Sequence, residues 1–145
     1  MRLSLLTFLL LCCTLSSAQP VDKLAQAVAK AEGFYMHGSI PSRCNNPGDL
    51  KVVTNYRYPG EIGVCKGGHA KFRTQADGWK ALEHQLNKIM DGTSRYTVNM
   101  SLQEIGKKYA QNYRVWAKNV AHTLGVEPTV CLWEILDVSP ILEEQ

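Results

Sequence analysis

The chain reads as one mainly helical α+β domain with a small antiparallel β-hairpin lobe. Three observations lead there. Its 145 residues suit a single domain. Apolar residues recur at helical spacing in one segment before residue 34 and in four segments after residue 73. Between them lie short β-branched runs broken by Gly, Asn and Pro, the pattern of a hairpin sheet segregated from the helices.

Residues 1–18 stand apart from that domain. Arg2 supplies a positive start, Leu3 to Leu15 an apolar run, and Ser16-Ser17-Ala18 the small residues of a cleavage site. We read a cleaved secretory signal, a mature domain over residues 19–145, and a secreted or periplasmic location. The run is shorter than the ~20 residues of a membrane span, so no transmembrane segment is expected in the mature chain. Cleavage removes one positive charge, Arg2, from a net charge of +3. The mild basicity that remains has no Lys/Arg stripe, which argues against a nucleic-acid partner. A small monomer is expected.

Export brings oxidising conditions and therefore disulfides. Cys44, Cys65 and Cys131 remain after cleavage. A Cys44–Cys65 bridge would tie an Asn-rich turn to the hairpin and leave Cys131 free in a helix. No Cys/His spacing suits a metal, so neither metal nor cofactor is expected.

The first helix carries Val21, Leu24, Val28 and Ala31 on one face, with Asp22 at its positive end and Gly33 as its terminator. Glu32 lies four residues beyond Val28, so it points with the apolar face. It also sits in the last turn, where the helix dipole disfavours an anion. Both effects favour the protonated carboxyl that a general acid needs near neutral pH. The competing reading is a solvated Glu paired with Lys30 or Arg43.

Asn45-Asn46-Pro47-Gly48-Asp49 follows as a turn: Asn and Asp bond nearby backbone, Pro fixes φ, and Gly accepts φ > 0. Its amides suit sugar hydroxyls and N-acetyl groups, although a plain surface turn has the same composition. Leu50–Val53, Glu61–Cys65 and His69–Arg73 read as short strands. Thr74 and Asp77 open a helix bearing Trp79, Leu82, Leu86 and Ile89, which Asp91-Gly92-Thr93 ends. Ser101 and Glu104 form a capping box for Leu102 to Tyr109. Tyr113 to Leu124 turns Trp116, Val120 and Leu124 inward, with Gly125 after it. Pro128 is expected in the first turn of a last helix holding Leu132, Trp133 and Leu136.

Ala31-Glu32-Gly33-Phe34, Ser39-Ile40-Pro41-Ser42-Arg43 and Asn45-Asn46-Pro47-Gly48-Asp49-Leu50, in that order, resemble the opening of a phage and bacterial branch of the lysozyme-like superfamily. That branch is similar to lytic transglycosylases and phage lysozymes. The resemblance continues through Phe72 to Leu82, Ser101 to Ile105, Lys108-Tyr109-Ala110 and Val120 to Val126. Cys44 and Asp49 depart from its pattern, which more often has Asn at both. The resemblance implies a cleft between the sheet lobe and the helical lobe, a peptidoglycan or related N-acetylated glycan as partner, and Glu32 as catalytic acid. It makes Arg43, Asn45, Asn46, Asp49 and Tyr109 the substrate-binding candidates. For Tyr109, a core aromatic at helical spacing is the competing reading.

Glycoside cleavage usually needs a second group beside the proton donor. The positions at which phage lysozymes carry their Asp and Thr hold Pro41 and Pro47 here, which leaves Asp49 and Glu61 as further acids. A lytic transglycosylase uses one Glu as acid and then base, while the substrate's own hydroxyl attacks. The expected function is thus an exported peptidoglycan-cleaving glycosidase, muramidase or lytic transglycosylase. The alternative is a non-catalytic glycan-binding or virion-structural-like module. Of the four histidines, His69 in the hairpin is the best placed to act.

Overall fold

The computed structural model describes residues 19–142, so the expected signal segment lies outside the described residues. Helix α1 runs Pro20–Ala31, with Pro in its first turn, where the missing N–H has no helical partner to lose. It ends as its sequence requires. Gly33 adopts φ 77°, and its N–H donates to the Lys30 carbonyl while that of Phe34 donates to Ala29. This pair of bonds leaves Glu32 as the capping residue, still in right-handed conformation.

A single turn of helix, α2 (Ile40–Arg43), follows, capped by Ser39 Oγ accepting from the Ser42 N–H. One turn is too short to display a periodicity, so it was not legible in the sequence. Strands β1 (Glu61–Cys65) and β2 (His69–Phe72) pair antiparallel, with an irregularity between Glu61 and Gly63. The third strand expected at Leu50–Val53 does not form. Lys51 bridges His69 and Val53 bridges Tyr56, but no continuous ladder links them. Asp49, at φ 47°, bends the chain just before this segment, and a tight turn follows it.

Helix α3 (Gln75–Met90) starts at the Thr74/Asp77 capping box and α4 (Leu102–Tyr109) at the Ser101/Glu104 box. Helix α5 (Tyr113–Leu124) ends at Gly125 with φ 70°. The last helix, α6 (Leu132–Leu136), begins later than expected. Pro128 lies in a turn ahead of it and accepts from the Gln103 N–H, while Cys131 caps the helix instead of lying inside it.

The architecture is the expected mainly helical α+β one, with a two-stranded sheet beside the helices. Helix α1 packs on α3, α5 and α6, and α4 packs on α5. Leu24, Val28, Leu86, Leu102, Val120 and Leu132 fill the space between the helices. A smaller cluster of Leu50, Tyr58, Ala70, Phe72 and Ala81 lies under the hairpin. Each large side chain so buried contributes roughly 1.5–3 kcal/mol. Cys44 and Cys65 form the expected disulfide, which joins the Asn-rich turn to β1. On chain-entropy grounds a loop of this size stabilises the fold by about 3 kcal/mol. Among the described cysteines Cys131 is free. No described helix is long and apolar enough to cross a membrane.

Candidate active site

The end of α1, the Asn-rich turn, the start of β2 and the segment after α3 meet around a cleft of about 530 Å³. Glu32, Asp49, His69 and Tyr109 all line it, with Lys51, Lys88 and Arg95. A second space, about 80 Å³, lies among the apolar side chains of the main core, including Leu24, Val28 and Leu86.

Glu32 is held from below. The Trp116 indole N–H, from α5, donates to its Oε1 at 2.6 Å. Trp116 is buried in the helical core, and a buried indole needs an acceptor. The carboxyl's pKa is raised from 4.5 to about 7. Burial is the main cause. The Trp116 bond opposes it by stabilising the anion, and the nearby charge of Asp49 adds to it. Glu32 is therefore substantially protonated at neutral pH and also able to give up its proton, the condition for acid and base roles in turn.

That balance predicts the behaviour of a Trp116→Phe variant. Phe fills most of the same core space but donates no hydrogen bond, so the Glu32 pKa should rise above about 7. Carbon-detected NMR titration of the Glu32 carboxyl measures this directly. A midpoint that stays put or falls means the indole bond does not hold the carboxyl down.

Asp49 reaches the cleft through the turn's own geometry. Its N–H donates to the Asn46 carbonyl at 3.0 Å, closing a tight turn through Pro47 and Gly48. Asp49 then takes the left-handed conformation that Asp tolerates better than most residues. Its carboxyl pKa is raised by burial, with His69 and then Lys51 pulling the other way. Tyr109, from α4, donates its hydroxyl to the Gly48 carbonyl and packs against Trp116 at 5.3 Å. The phenol's pKa is pushed well above its usual value, first by burial and then by Glu32 and Asp49. Tyr109 is thus both a packed aromatic and a wall of the cleft, and it braces the loop that carries Asp49.

Other expected binding residues lie elsewhere. Asn46 is fully buried: its Nδ2 donates to the Leu50 and Ala70 carbonyls, and its Oδ1 accepts from the Leu50 N–H, each at 2.9 Å. With its amide committed to backbone, it shapes the turn and reaches no ligand. Asn45 Nδ2 similarly donates to the Phe72 and Arg73 carbonyls, at 3.1 and 3.3 Å. Arg43 is exposed beside Cys44, Cys65 and Lys71, in a separate depression. Glu61 accepts from the Tyr58 N–H and lines a groove with Tyr56 and Arg57, outside the cleft. The chemistry of these amides suits sugars, but Asn46 is buried and the Asn45 Nδ2 is engaged with backbone carbonyls.

Trp116, Gln85, Lys88, Arg95 and Tyr96 belong to the site or its walls and were not expected there. Trp116 looked like an ordinary core residue, and a core residue it is; only the tertiary contact adds the second role. Among the described residues no cluster of three or more His, Cys, Asp or Glu could hold a metal. Comparison with protein-family models, with curated proteins and with solved structures found no match to this chain.

Proposed function

We propose that the protein is an exported glycosidase of the lysozyme-like kind, acting on peptidoglycan with Glu32 as general acid and base. The observation that carries this reading is Glu32 itself: a partly buried carboxyl with its pKa raised to about 7, in a cleft between a small sheet lobe and a helical body. The order of sequence motifs that resembles the lytic transglycosylase and phage lysozyme branch supports it, and so does the disulfide, a bond typical of exported proteins.

In the proposed reaction the Glu32 carboxyl donates its proton to the glycosidic oxygen. The bond from that oxygen to the anomeric carbon breaks, and its electron pair stays with the leaving sugar. The Glu32 carboxylate then takes a proton from the attacking hydroxyl, which restores the acid. When the attacker is the substrate's own hydroxyl, the product is an anhydro sugar and no water is consumed. When it is water, the product is a reducing sugar.

The test is mass spectrometry of peptidoglycan digested with the mature protein. Release of muropeptides cleaved between N-acetylmuramic acid and N-acetylglucosamine is expected, and the presence or absence of the anhydro end assigns the attacker. Retention on cell-wall sacculi without any released fragment would replace this reading with that of a glycan-binding module.

A further inference from the structure

Asp49 is an awkward residue for a folded protein to keep. Its backbone is left-handed, at φ 47°, and its Oδ1 is buried without a hydrogen bond among the described residues. A buried carboxylate oxygen so placed is costly unless positive charge stands close by. The structure supplies that charge along one line. His69 Nδ1 is 2.7 Å from Asp49 Oδ1 and 2.9 Å from the Asp49 carbonyl oxygen, and only the second contact has hydrogen-bond geometry. On the other side of the ring, Nε2 is 2.7 Å from Lys51 Nζ. Lys51 Nζ also donates to the Gly67 carbonyl at 2.7 Å, at the hairpin tip.

This network assigns the imidazole's protons. The Asp49 carbonyl only accepts, so Nδ1 carries hydrogen; the ammonium only donates, so Nε2 is bare. The Lys51 ammonium therefore reaches the Asp49 carboxylate through the His69 ring. The backbone bridge between Lys51 and His69 holds both side chains in register.

We propose that Lys51 and His69 form a positioning pair for Asp49, fixing its carboxylate as the anionic companion of Glu32 in the same cleft. This rests on the reading of the cleft as a glycosidase site, which it deepens. Asp49 in turn acts on Glu32, because a nearby negative charge makes loss of the Glu32 proton harder. The pair thereby sets the lower edge of the pH range in which Asp49 is charged and Glu32 is still protonated. The other groups facing this part of the cleft are Tyr58, Lys88, Arg95, Tyr96 and Tyr109.

Two variants test the pair. Lys51→Met removes the charge from an exposed position and leaves the imidazole bonded to the Asp49 carbonyl. His69→Gln keeps an amide donor for that carbonyl and removes the ring. In both, NMR titration of the Asp49 carboxyl is expected to move to higher pH. The acid limb of the pH–activity profile should move with it, while the far-ultraviolet circular dichroism stays that of wild type. Should His69→Gln fail to fold, Lys51→Met decides alone. An Asp49 titration that is unchanged or lowered in Lys51→Met overturns the proposal. Because the titration needs no substrate, it decides the pairing even if wild type cleaves no glycan, a result that would instead overturn the proposed function.

Discussion

Replacing Glu32 with Gln is expected to abolish release of muropeptides while the fold and retention on sacculi persist. Gln keeps the shape of the side chain and its Oε1 can still accept from the Trp116 indole. What it lacks is the proton. General acid–base catalysis typically contributes about 10²–10⁴-fold, and one group serving both steps places the loss at the upper end or beyond. The same variant has a stability signature of defined sign. The folded pKa of Glu32 is raised from 4.5 to about 7, so wild type loses stability as pH rises through that interval, where the unfolded chain ionises and the folded one does not. The variant has no such loss. It should match wild type in acid and be more stable by about 3 kcal/mol once the pH is well above 7. Activity within a few-fold of wild type would remove Glu32 from the mechanism. A variant less stable than wild type at pH 8 would remove the argument from burial.

Gly78→Ala is expected to destabilise the protein strongly, against the usual trend. In an exposed helix interior this substitution gains about 1 kcal/mol. Here a Cβ on Gly78 would lie 1.8 Å from the Asn45 carbonyl oxygen and 2.8 Å from Pro47 Cδ. Helix α3 and the Asn-rich turn meet backbone to backbone at this point, and no side-chain rotation relieves the contact. Moving the turn disturbs the Asn45 and Asn46 bonds to β2 and the residue that carries the second cleft carboxyl. Overpacking of this kind costs about 3 kcal/mol, or about 10 °C in the melting temperature. Calorimetry of the variant checks this. A melting temperature equal to or above that of wild type would mean that the two segments do not approach as closely as the structure has them.

The position of Glu32 is legible in the sequence: the apolar face of α1 and the Gly33 terminator put a carboxyl at a helix end pointing inward. The close approach at Gly78 has no counterpart in the sequence. A glycine in the first turns of a helix carries no local sign of what it touches, and the turn that touches it lies some thirty residues earlier.

Elements whose causes are local were determined by the sequence itself. Capping boxes at Thr74 and Ser101, glycine terminators at Gly33 and Gly125, and the hairpin around Gly67-Gly68 each depend on residues a few positions apart. The Cys44–Cys65 bridge was legible for a similar reason, since its two ends flank one short lobe. Where a signal was shared between two outcomes, sequence alone did not choose. Leu50–Val53 has the composition of a strand, yet the left-handed Asp49 turns the chain before a ladder can start. Asn45 and Asn46 have the chemistry of ligand-binding amides, yet the side-chain Nδ2 of each donates to a backbone carbonyl of β2. The site's electrostatics were decided by tertiary structure alone. The Trp116–Glu32 bond spans 84 residues and the His69–Asp49 contact 20, and the desolvation that raises Glu32 comes from the elements packed around it. A pKa is a property of the surroundings of a group, and those surroundings exist only once the chain has folded.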